Sequence, residues 1–185
     1  MPGIRVEEAA RELERLSALA EDCLKLENQI IELAEKHKDM PLCFFLGRGA
    51  DASVALEGAL KLKEIAYIPT QESPAGEMKH GPLALVHPGV VAMFGSTDPE
   101  IRDKVVSNMK EVQARGGHVI AIATEEDNVI QRAADAVVRI PATRLTFLNA
   151  LLSIIPMQLF AYHVARLREC EIDQPRNLAK SVTVE

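Results

Sequence analysis

Glu57, Lys61 and Glu64 recur at i, i+4 and i+7, a spacing that sets two carboxylates and an amine on one face of a helix. Such a face is either solvated, with ion pairs worth roughly a few tenths of a kcal/mol each, or a carboxylate and an amine held in register to move protons. A second chemistry-bearing stretch runs from Thr70 to Pro82 and holds Gly76, Gly81, Pro74, Pro82 and His80. An imidazole titrates near neutral pH and suits proton shuttling, although a single loop histidine also serves structurally. Glu77, three residues earlier, either orients His80 or caps the turn. The third candidate is Lys180, the sixth residue from the end. Lysine there is solvated unless the tail enters a cleft that tunes it for Schiff-base chemistry. Gly47-x-Gly49 leads into a helix and could offer backbone donors to a phosphate. It lacks the remaining glycine of a dinucleotide fingerprint and the Gly-Lys-Ser/Thr of a P-loop, so a plain tight turn is the simpler reading. His37, His87, His118 and His163 have no chemical company in sequence and read as structural.

Positioning these groups requires a scaffold, and its elements are legible as periodicity. From Ile4 to Lys38 apolar residues fall at helical spacing between Glu, Arg and Lys, predicting two or three pieces of amphipathic helix. Asp39-Met40-Pro41 stops them. Leu42 to Leu46 is a continuous apolar run, the mark of a strand covered on both faces. A turn then leads into a helix from Ala52 to Ala66. Short strands are expected at Tyr67–Thr70, Val90–Gly95, His118–Ala123 and Ala136–Ile140. Helices are expected at Pro99–Arg115, Glu125–Ala134 and Leu145–Arg168, the last interrupted by Pro156. Alternation of this kind predicts an α/β fold, a parallel sheet of about five strands with helices on both faces. In such a sheet, ligands are expected at the carboxyl ends of the strands.

Composition narrows the function. Of 185 residues 48% are hydrophobic and 26% charged, globular usage rather than that of a disordered chain. Aromatics are 4% and the formal charge is -6. Without stacking platforms or a basic run, a nucleic-acid partner is not expected. Cys23, Cys43 and Cys170 are widely spaced and odd in number, which reads as reduced thiols in a cytoplasmic protein rather than a disulfide frame or metal site. The first eight residues lack the basic start and apolar stretch of a signal peptide. The longest apolar run, Ala150 to Ala161, is interrupted and too short to span a bilayer; no membrane association is expected.

Three segments carry a resemblance: Ala55 to Glu64 (ALEGALKLKE), Ala75 to Pro82 (AGEMKHGP), and the ending Asp173 to Glu185 (DQPRNLAKSVTVE). Together the chain from about Ile30 to its last residue resembles the glutamine–fructose-6-phosphate aminotransferase family, also called glucosamine-6-phosphate synthases. More narrowly it is similar to the second of that family's two sugar isomerase (SIS) halves. The resemblance implies a three-layer α/β/α SIS domain with a five-stranded parallel sheet and no metal or cofactor. It implies conversion of fructose-6-phosphate to glucosamine-6-phosphate, in the synthesis of UDP-N-acetylglucosamine. By the same resemblance, Glu64 is the base that moves a proton between C1 and C2, and Lys61 assists proton transfer around the imine. Glu57 supports that cluster, His80 opens the cyclic sugar from a neighbouring subunit, Lys180 forms the Schiff base, and Ala179 contacts the sugar.

The expected organisation is a helical segment at 1–38 packed on the domain, an SIS core at 39–170 and a catalytic tail at 171–185. The resemblance implies a homodimer, with a glutaminase domain and a first SIS half in the full enzyme. Neither the glutaminase cysteine nor the Ser/Thr-rich phosphate loop of the first half has a counterpart here, so this chain alone is expected to be incomplete for catalysis. Two other readings stay open: a non-catalytic SIS module sensing a sugar phosphate, and a stand-alone phosphosugar isomerase.

Overall fold

A computed structural model describes residues 6–176. The amphipathic stretch forms two helices, α1 (Val6–Leu24) and α2 (Glu27–His37). After them come β1 (Cys43–Gly47), α3 (Ala50–Ala66), β2 (Thr70–Pro74), two 3-10 turns (Ala75–His80 and Pro82–Leu85), β3 (Val91–Ser96), α4 (Arg102–Gln113), β4 (His118–Thr124), β5 (Ala136–Ile140) and α5 (Thr146–Leu167). All five strands are parallel, in the order β2-β1-β3-β4-β5, as the alternation predicts.

Strand residues alternate between two cores, because successive side chains leave a strand on opposite faces. Cys43, Phe45, Val91, Met93, Ile120 and Ile122 pack under α1, α2, α3 and α5. Phe44, Leu46, Ala92, Phe94, Val119 and Ala121 pack under α4 and the 3-10 turns. This is a three-layer α/β/α arrangement. On the first face, α3 approaches α5 and β1 so closely that a Cβ on Gly58 would meet Met157 Sδ at 2.7 Å and the Phe45 ring at 2.9 Å. Helix α5 is long and apolar enough to cross a membrane by length and composition alone, but most of it is buried against α2, α3 and the sheet. It continues through Pro156. Cys23, Cys43 and Cys170 are free thiols; burial pushes Cys23 up to about 11 and raises Cys43 further.

Three expected elements need correction. The helix expected at Glu125–Ala134 is only a 3-10 turn at Ile130–Arg132. Asp127 Oδ1 accepts the backbone N–H groups of Val129 and Ile130 at 2.9 and 3.3 Å, and Arg139 takes the carbonyls of Glu125 and Asp127. Side chains thus satisfy backbone groups that a helix would have paired. The strand expected at Tyr67–Thr70 begins where that span ends. Tyr67 caps α3 in the left-handed region, with φ 55°, and the strand is the polar edge run Thr70–Pro74, which pairs with β1. Helix α4 starts at Arg102 rather than Pro99, because Asp98 Oδ1 accepts the Glu100 N–H and holds that segment in a turn.

Among the histidines, His163 is buried and hydrogen-bonds Glu27 at 3.0 Å, tying α5 to α2. His37 and His118 face one another with ring centroids 4.5 Å apart, and the Nε2 atoms of both are buried without a partner. Burial, with the neighbouring His118 and Lys36, pushes His37 down to about 4. Burial and Lys36 also lower His118, against the opposing pull of Asp135. Both rings fold neutral, whereas the unfolded chain takes up protons near pH 6.5. Stability is therefore whole above about pH 6.5 and falls as pH drops towards 4. A full His37 shift would be worth about 3 kcal/mol, and solvent at the partly exposed pair reduces this to about 1–2 kcal/mol. Urea unfolding at pH 7 and pH 4.5 should show that loss, and His37→Gln should remove most of it; an equal loss in the variant would assign the pH dependence elsewhere.

Candidate active site

The chemistry-bearing helix is α3, which crosses from β1 to its parallel neighbour β2. A right-handed crossover runs antiparallel to the strands it joins, so α3 starts at their carboxyl ends and finishes near their amino ends. Ala55, Gly58, Ala59, Leu62 and Ala66 are its buried stripe. Glu57, Lys61 and Glu64 fall on the other side, with about a third to under half of each side chain exposed. Lys61 Nζ lies 3.4 Å from Glu57 Oε1 and donates to Glu64 Oε2 at 3.2 Å. The three residues singled out by spacing are one bridged cluster.

Partial burial pulls the Lys61 ammonium down, but the hydrogen bond to Glu64 and the charges of Glu57 and Glu64 outweigh it, and its pKa lies above the ordinary lysine value. Lys61 is consequently a fixed cation and proton donor at neutral pH, not an amine nucleophile. A carboxylate beside such a donor can accept a proton while the ammonium steadies charge developing on a neighbouring oxygen or nitrogen.

His80 ends the 3-10 turn that follows the carboxyl end of β2, and it is exposed. It makes no hydrogen bond or ion pair with the α3 cluster, whose Glu64 lies towards the opposite end of the sheet. Contrary to expectation, the candidate groups do not all gather at the carboxyl ends of the strands, because α3 runs back towards the amino ends and carries Glu64 with it. Ala179 and Lys180 lie outside the described residues.

At the switch point, where the chain leaves β1 and β3 in opposite directions, a carboxylate already fills the crevice. Asp51, 1% exposed, accepts the Thr97 N–H at 2.9 Å and the Thr97 hydroxyl at 2.8 Å. Burial raises its pKa, while the two Thr97 hydrogen bonds pull the other way. Its atoms also lie within 3.1 Å of where a Cβ on Gly95 would sit. The turn Gly47-Arg48-Gly49 therefore joins an occupied crevice, which favours the plain-turn reading over a phosphate cradle. Arg48 Nε donates to Asn108 Oδ1 at 3.0 Å, Asn108 Nδ2 to Glu111 Oε2 at 3.3 Å, and Glu111 pairs with Lys79 at 2.9 Å. This chain of contacts braces the segment that carries His80 against α4. Among the described residues, three surface cavities of about 190–340 Å³ lie away from the cluster, and a fourth, of about 380 Å³, flanks His80 through Lys79 and Gly81; none of the four has Glu57, Lys61 or Glu64 in its lining. Among the described residues, no group of three His, Cys, Asp or Glu is placed to hold a metal ion.

Neither Asp51–Thr97 nor Arg48–Asn108 was singled out from sequence, since the partners stand 46 and 60 residues apart. Asp51 at the start of a helix reads as an ordinary first-turn acid, and no local pattern marks it as buried.

The pattern of the SIS domain family matches residues 38–168. Glutamine–fructose-6-phosphate aminotransferase [isomerizing] from Clostridium tetani is 47% identical over 183 residues, covering 97% of this chain and 29% of that protein. Its counterpart from Caldanaerobacter subterraneus is 43% identical over 185 residues, covering 100% of this chain and 30% of that protein. The chain thus spans about 30% of the length of these curated relatives. Among solved structures, the C-terminal domain of glucosamine-fructose-6-phosphate aminotransferase from Francisella tularensis superposes with TM-score 0.82 at 40% identity, over 89% of this chain and 46% of that one. Glucosamine-6-phosphate deaminase from Thermotoga maritima shares the fold, with TM-score 0.69 at 24% identity over 91% of this chain and 48% of that one.

Proposed function

The chain belongs to the SIS domain family, and from that premise we propose that it is the carboxyl-terminal isomerase half of a glutamine–fructose-6-phosphate aminotransferase. The observation that carries the reading is the Glu57–Lys61–Glu64 cluster, with its ammonium held protonated between two carboxylates. The high identity to named aminotransferases over nearly the whole chain supports the same reading.

In this reading the Lys180 amine attacks the C2 carbonyl of open-chain fructose-6-phosphate, and water leaves as the imine forms. After an ammonia nitrogen displaces the lysine, Glu64 removes a proton from C1. The electron pair moves into a C1–C2 double bond while the C2–N π pair goes to the nitrogen, which takes up a proton; the C1 hydroxyl then gives up its proton as C1=O forms, and the C1–C2 pair takes a proton at C2 from the Glu64 carboxyl, giving the 2-amino aldose. Lys61 lies beside that carboxylate and steadies the charge that develops during the shift. His80 opens the sugar ring. Its position beyond the other end of β2 from Glu64 supports a contribution to a second copy's site, hence a homodimer; the free thiols suit a cytoplasmic setting. Nitrogen and phosphate recognition belong, in this proposal, to a glutaminase domain and a first SIS half.

Borohydride reduction in the presence of fructose-6-phosphate tests the assignment. A stable adduct should form on Lys180 and be absent from Lys180→Ala. Saturable sugar-phosphate binding with no adduct would make the chain a sensor module instead, and an adduct unaffected by Lys180→Ala would move the imine to another amine.

A further inference from the structure

Helix α4 has a neighbour of its own length on neither flank. One flank meets the 3-10 turn at Ala75–His80. The connection from β4 to β5 crosses the same face of the sheet, since Ile130 and Ala133 join the core cluster beneath α4. Parallel strands are ordinarily joined through a helix, which here would cover the other flank. The chain supplies only the 3-10 turn Ile130–Arg132, about 6 Å of cover beside a helix that extends about 18 Å. What remains open is a cavity of about 340 Å³, lined by Val106 and Lys110 of α4 and by Asn128, Val129, Arg132 and Ala133 of the turn.

Floor and rim differ in chemistry. Val106 and Ala133 pack into the core cluster beneath α4, whereas Val129 keeps 43% of its surface in solvent, exposure that an apolar ligand would relieve. Lys110 and Arg132 are both exposed, and among the described residues neither side chain has an ion pair or hydrogen bond. No carboxylate lines the cavity, although the chain as a whole has a formal charge of -6. The wall is also preformed. Asp127 Oδ1 holds the N–H groups of Val129 and Ile130, and Ile130 is buried, so the turn would lose little freedom on closing over a ligand.

Two unpaired cations above an apolar floor select an anion with an apolar body. An arginine fork and a lysine point charge together match the double charge of a phosphate monoester better than the single charge of a carboxylate. A cavity of about 150 Å³ takes up benzene, so this one has room for about two rings. We propose that the cleft between α4 and the Ile130–Arg132 turn binds a small phosphate monoester bearing an apolar, ring-sized group, with Lys110 and Arg132 on the phosphate and Val106, Val129 and Ala133 against the ring. It shares no residue with the α3 cluster, so it stands or falls apart from the imine chemistry assigned above.

The probe is 1-naphthyl phosphate, titrated into the full chain and followed by calorimetry and by backbone amide chemical shifts. Saturable binding of one molecule per chain is expected, with the largest shifts at Val129 and Arg132. Arg132→Gln and Lys110→Gln should each weaken it about tenfold, the loss of one charge-assisted hydrogen bond, while the exposed positions leave the thermal midpoint nearly unchanged. Val129→Ser should weaken the naphthyl ester about threefold or more without changing the much weaker binding of inorganic phosphate. No saturation below about 10 mM, shifts centred elsewhere, or full affinity in the Lys110→Gln, Arg132→Gln double variant would overturn the site. Inorganic phosphate binding as tightly as the ester would overturn the apolar half of the assignment, and 1-naphthoate binding as tightly would overturn the phosphate half.

Discussion

Glu64→Gln is expected, with ammonia supplied, to slow exchange of the C1 proton of fructose-6-phosphate with solvent by about two to four orders of magnitude, the usual contribution of a positioned general base, while the borohydride adduct on Lys180 still forms. The amide is nearly isosteric and can still accept the Lys61 N–H, so the cluster should keep its shape. What it loses is basicity. Glu57→Gln should act differently. It removes one of the two charges that hold Lys61 protonated without touching the proposed base, so a smaller loss is expected, with a lower upper limb in the pH–rate profile. Deuterium incorporation at C1, followed by NMR alongside adduct formation, separates these outcomes. Equal loss of exchange and of adduct in Glu64→Gln would place Glu64 in imine formation, and undiminished exchange would remove it from the proton shift.

The largest stability effect is expected at the turn after β1. A Cβ on Gly47 would lie 2.4 Å from the Asp51 carbonyl carbon, 2.5 Å from its oxygen and 2.7 Å from the Ala52 nitrogen. These are backbone atoms of the first turn of α3, so no side-chain rotation relieves the clash. Moving the turn would also pull Asp51 away from Thr97, leaving a buried carboxylate without its two donors. Gly47→Ala should therefore destabilise the domain by about 3 kcal/mol or more, lowering the thermal midpoint by about 6–12 °C for a chain of this size. Gly81→Ala is the control. Nothing lies within 4 Å of a Cβ there, and only its φ of 140° opposes the substitution, so a loss of about 1 kcal/mol is expected. Thermal unfolding followed by circular dichroism decides the matter; a Gly47→Ala midpoint within a degree of wild type would mean that α3 can shift along the sheet.

Much of this architecture follows from local pattern. The run Cys43-Phe44-Phe45-Leu46 has apolar residues on both faces, and a strand so composed has to lie between two layers. The i, i+4, i+7 spacing of Glu57, Lys61 and Glu64 fixes their common face before any packing is known, because helix geometry is local. Elements whose residues satisfy one another at short range but without period were harder. Asp127 bonds the backbone two and three residues on, and that competition turned an expected helix into a single 3-10 turn. Strand β2 is polar because it lies at the sheet's edge, and an edge position is a property of topology that composition shows only weakly.

Sequence alone therefore determined the layer order of this protein, the face of α3 that bears its chemistry and the family whose motifs it carries. It could not place those groups relative to one another. That Glu64 and His80 lie towards opposite ends of the sheet depends on the direction in which α3 crosses. That Asp51 fills the crevice, and that Tyr67 meets Arg176, depends on contacts between residues 46 and 109 positions apart. Periodicity reports only which face of an element is buried; which distant residue it meets is settled when the layers close on one another and every buried polar group must find a partner.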